Sequence, residues 1–230
     1  MKNVLITGAN RGIGFEIARQ LVKKDFHVIM TGRNEIKLSE ALNKIKNEPA
    51  SAEMLLMDVS DSSSISQAAQ ILSKRKMRID VLINNAGILF RQDRSLLNEE
   101  IALIEKTLNT NAYGPLKVIR GILPLMVKPG KIINISSGGG SMSDPVGGWS
   151  PAYCVSKTLL SSITRQLAYE LVGQNISVNA VSPGWVKTGM GGFFAKRSVE
   201  KGAETIVWLA TEAPQQLTGK YFKDKKEILW

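Results

Sequence analysis

Tyr153 and Lys157 stand four residues apart in the segment YCVSK. On a helix, that spacing puts a phenol and an ammonium on one face, one turn apart. A free phenol, with a pKa of about 10, gives up its proton poorly at neutral pH. A neighbouring ammonium favours the phenolate and is expected to lower that pKa, so Tyr153 can serve as acid and base in turn. Reduction of a carbonyl calls for such a group: hydride goes to carbon, charge develops on oxygen, and a proton must follow. Ser136 and Ser137 lie upstream, and either can offer a hydroxyl to the same oxygen. Tyr-x-x-x-Lys alone also fits an ordinary amphipathic helix, so the case rests on what surrounds the pair.

A second chemical signal lies at the other end of the chain. TGANRGIG (Thr7–Gly14) follows the apolar run NVLIT and opens a helical pattern. Gly8 permits a tight turn, Gly12 lets the backbone approach a pyrophosphate, and Gly14 lets the helix lie close on a sheet. The next apolar run ends in MTGRN. A carboxylate there would bind a free ribose 2′-hydroxyl and repel a 2′-phosphate. Gly32 and Arg33 occupy that place instead, and Arg11 sits inside the glycine turn. A guanidinium makes charge-assisted, fork-like bonds to phosphate. The expected cofactor is therefore NADP(H) rather than NAD(H), with Arg33 leading and Arg11 assisting.

The elements that must position these groups alternate along the chain. Strand-like runs cover 3–7, 27–31, 52–59, 79–87, 131–137 and 177–183, with a short last strand at 220–222. Helical patterns follow Gly12, follow an Asn34 cap, follow Asp61 and Ser62, and cover about 99–127, 151–172 and 198–211. The stretch 99–127 is softened near Gly114-Pro115, and Ser150 with Pro151 reads as an N-cap and first helical residue. The strands are apolar without alternation, as in parallel sheets buried on both faces. This predicts one α/β domain over 1–230 with a Rossmann fold: a doubly wound parallel sheet of about seven strands and helices on both faces. Its ligand site lies at the carboxyl ends of the strands.

Composition narrows the classes. Of 230 residues, 43% are hydrophobic and 22% charged, which suits a globular protein. No apolar run approaches the roughly 20 residues of a membrane span, and a first strand beginning at residue 3 leaves no room for a leader, so a cytoplasmic location is expected. The net charge is +10, but the basic residues are scattered, and no nucleic-acid partner is expected. A single cysteine, Cys154, and a single histidine, His27, exclude a disulfide framework and a Cys/His metal cluster, so no metal is expected. A Ser-His-Asp hydrolase would have to use His27, a strand-edge residue with no evident partner nearby.

These motifs, in this order and over essentially the whole chain, resemble the short-chain dehydrogenase/reductase family. Beyond the glycine turn and YCVSK, the resemblance rests on Asp58-Val59, NNAG (Asn84–Gly87), Asn111, Ser137 and PGWVKT (Pro183–Thr188). SPGWVKTGMGG and the C-terminal TGKYFKDKKEILW resemble its carbonyl-reductase and C-factor-like branch. The resemblance implies a catalytic set of Ser137, Tyr153, Lys157 and Asn111, with Ser137 preferred over Ser136 as the second serine after the strand. It implies that Lys157 also holds the nicotinamide ribose and that Asn111 positions a water linking Lys157 to solvent. Gly8, Asn10, Arg11, Gly12, Ile13 and Gly14 would bind the cofactor at the glycine turn. Asp58 and Val59 would contact the adenine, and Asn85, Ala86 and Gly87 the adenosine ribose. Thr188 and the backbone near Val186 would hold the nicotinamide carboxamide, and Pro183 and Gly184 would also bind the cofactor. The implied substrate is a small carbonyl compound. A homodimer or tetramer through the helices at 99–127 and 151–172 is in keeping with the family.

Other readings stay open at this point. Some relatives on this branch resemble signalling factors, so a cofactor-binding regulatory protein is one alternative. A hydroxysteroid or 3-oxoacyl substrate is another. The substrate site is expected from the loops 138–152 and 184–198. Met142, Val146 and Trp149 are candidates for its entrance, and GGFFAKRS (191–198) for a lid with Phe193 and Phe194 over the pocket. Cys154 and Gly189 stand where the branch often has an arginine and an acidic residue, which could mean one lost ion pair. Cys154 itself reads as a packing residue rather than a nucleophile.

Overall fold

Alternate residues of β1 (Lys2–Ile6) face opposite sides of the sheet: Val4 and Ile6 join one buried cluster and Leu5 the other. The same division runs through β2 (Phe26–Gly32), β4 (Ile79–Asn84) and β6 (Ile176–Val181). Both faces need cover, which is why the strands read as unbroken apolar runs. The structure, a computed structural model, describes residues 1–45, 51–143 and 148–230. With β3 (Ala52–Leu56), β5 (Met126–Ile135), β7 (Tyr221–Lys223) and β8 (Lys226–Ile228), the strands form one sheet in the order β3-β2-β1-β4-β5-β6-β7-β8. All neighbours are parallel except β7 and β8. The order reverses between β1 and β4, and a ligand crevice opens at such a switch point.

Helices cover the two faces. α1 (Gly12–Val22), α2 (Glu35–Asn43) and α7 (Val199–Thr211) bury Ile17, Leu21, Leu38 and Ile206 on one side. α3 (Ser62–Lys74), α5 (Gly114–Ile122) and α6 (Pro151–Leu171) bury Leu72, Ile122 and Leu171 on the other. Each such side chain contributes about 1.5–3 kcal/mol by leaving water. α4 (Ile101–Leu108) precedes α5. Asn34 caps α2 through a bond from Lys37 N–H, and Asp61 caps α3 through one from Ser63 N–H. No helix among the described residues is long and apolar enough to cross a membrane, and none of their side chains form a cluster that could hold a metal.

The structure departs from the sequence expectations at five places. The long helix of 99–127 is two helices joined by a π turn at Asn109–Tyr113, and it ends at Ile122. β5 then begins at Met126, five residues before its expected start, because Met126 pairs with Ile79 across a bulge. An eighth strand follows the expected last one. Asp224 and Lys225, both at positive φ, turn the chain back antiparallel, and the polar sequence of β8 hides it. Ser150 does not cap α6: it is left-handed, at φ 41°, and its hydroxyl bonds no helix N–H. Finally, His27 does have neighbours. Ser51 Oγ bonds its Nδ1, and Glu53 Oε1 lies 3.6 Å from its Nε2. β3 brings both alongside β2, a pairing that spacing along the chain does not reveal.

Candidate active site

The carboxyl ends of β1, β2, β4, β5 and β6 open into one cleft of about 1180 Å³. Every cofactor-contact residue expected from the sequence lines it, as do Ser137, Tyr153 and Lys157. Asn111 does not: it is fully buried behind the wall.

At one end, the glycine turn passes from β1 into α1. Gly8 has φ 65°, and a β-carbon there would come within 2.9 Å of Ala86 Cα. A β-carbon on Gly14 would press on the Asn85 amide and come within 2.5 Å of the Gly8 carbonyl oxygen. Gly14 thus admits the end of β4 into the turn rather than merely easing a helix onto the sheet. Asn85 Nδ2 donates to the carbonyls of Thr7 and Gly8, and Thr7 Oγ1 accepts from the N–H groups of Asn85 and Ala86. The Asn85 side chain is therefore committed to the turn. Gly14→Ala should lower stability by about 1–3 kcal/mol through overpacking and weaken dinucleotide binding. Urea unfolding and a nucleotide fluorescence titration would read both.

This end suits a dinucleotide. α2, α3 and α7 carry side-chain caps, whereas α1 has none and no acidic residue in its first turn. Its free N–H groups and positive dipole end are available to phosphate oxygens. Arg11, Arg33, Lys157, Lys187 and Lys223 also line the cleft, and among its described lining residues Asp58 is the one acid. Arg33 extends into solvent, 68% exposed at the side chain, with Nη1 3.8 Å from Asp58 Oδ2. Burial raises the Asp58 pKa, but bonds from the Ser60 hydroxyl and N–H, aided by Arg33, more than offset this and hold it below the usual carboxylate range. Arg11 turns the other way: a side chain at Gly189 would lie 3.8 Å from its Nη1.

At the other end, Ser137 stands beside the Tyr153 phenol and favours its charged form, and Lys157 Nζ lies 5.6 Å from that ring's centroid. Lys157 Nζ donates to the Ile135 carbonyl over 2.7 Å. Ser136 also lines the cleft, but its hydroxyl is spent on the Lys157 carbonyl and Ser161 Oγ on α6. The sequence-based expectation for the Tyr153 pKa is reversed. Burial pushes it up to about 12, only partly relieved by Ser137. Burial also brings Lys157 down to about 8, since an apolar surround disfavours its charge too. Asn111 spends its whole side chain on structure: Oδ1 accepts from Ile88 N–H, and Nδ2 donates to the Ile88 carbonyl and to Ser156 Oγ.

The mouth differs from expectation as well. Trp149 lines the cleft, 5.8 Å from the Tyr153 ring, but Met142 is 79% exposed and outside it, and Val146 falls outside the described residues. Phe193 and Phe194 are 89% and 81% exposed and do not close the pocket, since each packs mainly on the other. Trp185, Met190 and Gly191 supply that wall instead. The two departures from the branch pattern do not face each other. Gly189 faces Arg11, whereas the Cys154 thiol donates to the Trp149 carbonyl and is pushed up to about 11 by burial and then by Asp93. Ile88, Trp185, Lys187 and Lys223 are site residues that motif reading did not single out. Trp185 lay inside PGWVKT, and the others carry no local signal.

A model of the short chain dehydrogenase family matches residues 2–198. The chain belongs to the short-chain dehydrogenase family. Among curated relatives, carbonyl reductase (NADPH) 1 of Bos taurus is 33% identical over 275 residues, covering 98% of this chain and 97% of that protein. Carbonyl reductase (NADPH) 3 of Mus musculus is 34% identical, with the same coverage. Among solved structures, NADPH-bound carbonyl reductase from chicken fatty liver superposes with a TM-score of 0.90 at 27% identity, covering 100% of this chain and 94% of that one. The short-chain dehydrogenase assignment accounts for the strand order and for the family motifs meeting at one sheet edge.

Proposed function

We propose that this protein reduces carbonyl compounds with NADPH and that Tyr153 delivers the proton. One observation carries the reading: a single cleft joins the uncapped start of α1 to the Ser137, Tyr153 and Lys157 cluster. The carbonyl reductases similar to this chain, named for NADPH, support the cofactor and the reaction.

NADPH supplies the hydride when bound. The chain's own residues do the rest. Backbone N–H groups of Gly12–Gly14 take the pyrophosphate, and Arg33 takes the 2′-phosphate. Asp58 and Val59 flank the adenine. Thr188 and the backbone near Val186 take the carboxamide, and Lys157 the nicotinamide ribose. Ser137 and Tyr153 donate to the substrate oxygen. As the C=O π bond breaks and the carbon gains its C–H bond, the Tyr153 proton passes to oxygen. The phenolate left behind is supported by Lys157 and reprotonated from solvent. The Asn111 amide is spent on Ile88 and Ser156, so a water between Asn111 and Lys157 would bond the Asn111 backbone carbonyl. A phenol at about pKa 12 is protonated at neutral pH and so is in the form that can act as the acid in reduction. Trp149, Trp185 and Met190 give the mouth an apolar lining suited to aldehydes and ketones with apolar substituents.

The test follows absorbance at 340 nm with NADPH and NADH against aldehydes, ketones, quinones, a ketosteroid and a 3-oxoacyl thioester. At least one apolar carbonyl should drive oxidation, with kcat/KM at least ~10-fold higher for NADPH than for NADH. Tight NADPH binding without oxidation by any compound would replace this reading with the regulatory one.

A further inference from the structure

Three helices, α2, α3 and α7, are capped by their own preceding residue. α6 is capped from elsewhere. Asp93 lies in the segment between β4 and α4, and a bond from its N–H to the Phe90 carbonyl turns it inward. It is 3% exposed, while Arg91, Gln92 and Arg94 around it are exposed. Asp93 Oδ1 accepts from Ala152 N–H at 3.0 Å, and Oδ2 from Tyr153 N–H at 2.9 Å. Pro151 has no N–H, and Cys154 N–H bonds the Ser150 carbonyl. The first turn of α6 is thereby fully satisfied, and a single carboxylate does most of it.

A local serine cap would have been the cheaper arrangement, because burying a carboxylate is costly unless its charge is met. Ser150 is the right residue type but is turned left-handed and caps nothing. Among the described residues, Asp93 has no cation within ion-pairing distance, so the two N–H groups and the helix dipole carry the compensation. Its segment begins at Asn85–Gly87, which line the cleft, and passes through Ile88, which Asn111 clamps on both sides. The chain is thus fastened from the cofactor wall directly to the backbone of Tyr153.

We propose that Asp93 is a positioning residue for the reaction, fixing the backbone of Tyr153 relative to the cofactor wall so that the phenol meets the substrate oxygen. The proposal rests on the reductase reading above, and its test has an arm that does not depend on turnover. Asp93→Ala removes both acceptors, and Asp93→Asn keeps the shape and one of them.

With a carbonyl substrate from the panel, Asp93→Ala should lower kcat by ~10- to 100-fold, as expected for a sub-ångström displacement of a reacting group. Asp93→Asn should recover to within about fivefold, with the NADPH dissociation constant within about twofold in both. In a Tyr153→Phe background, Asp93→Ala should cost the residual turnover nothing further, because two residues acting through one group are not additive. In the free protein, amide exchange at Ala152 and Tyr153 should quicken by at least ~10-fold in Asp93→Ala, with Leu160 unchanged. Unchanged kcat in both variants would overturn the proposal. So would loss of kcat and NADPH affinity together in step with thermal destabilisation, or unchanged exchange at Ala152 and Tyr153. A wild-type protein that oxidises no NADPH defeats the reductase reading alone, and the exchange arm then decides whether Asp93 holds Tyr153.

Discussion

Tyr153→Phe should cut carbonyl reduction by ~10³-fold or more while leaving the NADPH dissociation constant within about twofold. The substitution removes one oxygen and nothing else. The ring keeps its place beside Trp149, 5.8 Å away, and the backbone keeps its bond to Asp93. The phenol faces the cleft beside Ser137, so stability should change by no more than about 1 kcal/mol. Single-turnover kinetics at 340 nm separate the chemical step from binding, and a fluorescence titration gives the affinity. The size of the loss follows from the proton: Ser137 can polarise the substrate oxygen, but a serine hydroxyl is a much poorer proton donor. Lys157, whose Nζ is 5.6 Å from the ring centroid and bonded to the Ile135 carbonyl, is not placed to substitute. A variant that kept wild-type turnover would remove Tyr153 as the donor and leave the cleft without one.

The second large effect concerns the cofactor. Arg33→Asp should raise the Michaelis constant for NADPH by ~100-fold and leave that for NADH within a few-fold. A charge-assisted bond contributes about 1.5–3 kcal/mol, and each 1.4 kcal/mol is tenfold, so loss of the bond plus repulsion from a new carboxylate reaches that range. Asp58 sharpens the expectation. It lies 3.8 Å from the guanidinium and would leave two carboxylates beside the 2′-phosphate. Arg33→Ala separates the contributions, since it loses the bond without adding charge, and about tenfold is expected. Neither variant should unfold readily, because an exposed ion pair contributes only about 0–1 kcal/mol. If Arg33→Asp left the NADPH constant unchanged, the 2′-phosphate would have to be held by another group, and Arg11 is the next candidate.

Much of this molecule is legible without coordinates, for physical reasons. Strands buried on both faces must be apolar throughout, so the alternating β and α units and the parallel sheet follow from runs such as VLI, HVIM and LLM. A helix that begins on a phosphate site needs glycines in its turn and no acid in its first turn, and TGANRGIG carries both conditions. Motifs at successive strand ends must meet in space once the sheet is doubly wound, so the cleft could be assembled from chain order alone. Asn34 and Asp61 were readable as caps because a cap is a contact between near neighbours.

Contacts between distant residues were not readable. The β8 hairpin carries no apolar signal, because its strand is polar and the chain turns through Asp224-Lys225. The start of β5 was hidden because Met126-Val127 suits helix and strand alike, and only pairing with Ile79 decides between them. Ser150 has the composition of a cap but the wrong backbone angle, and Asp93, 60 residues before Tyr153, takes its place. The phenol pKa turned on the same distinction. Four-residue spacing brings an ammonium near Tyr153 and argues for a lowered value, but spacing says nothing about water. Burial is a property of the assembled fold, and here it dominates, pushing Tyr153 up to about 12 and Lys157 down to about 8. The residue types and their order determined which groups face the cleft. Solvent exclusion and long-range backbone contacts, which exist only after folding, decided how those groups hold their protons and what holds them in place.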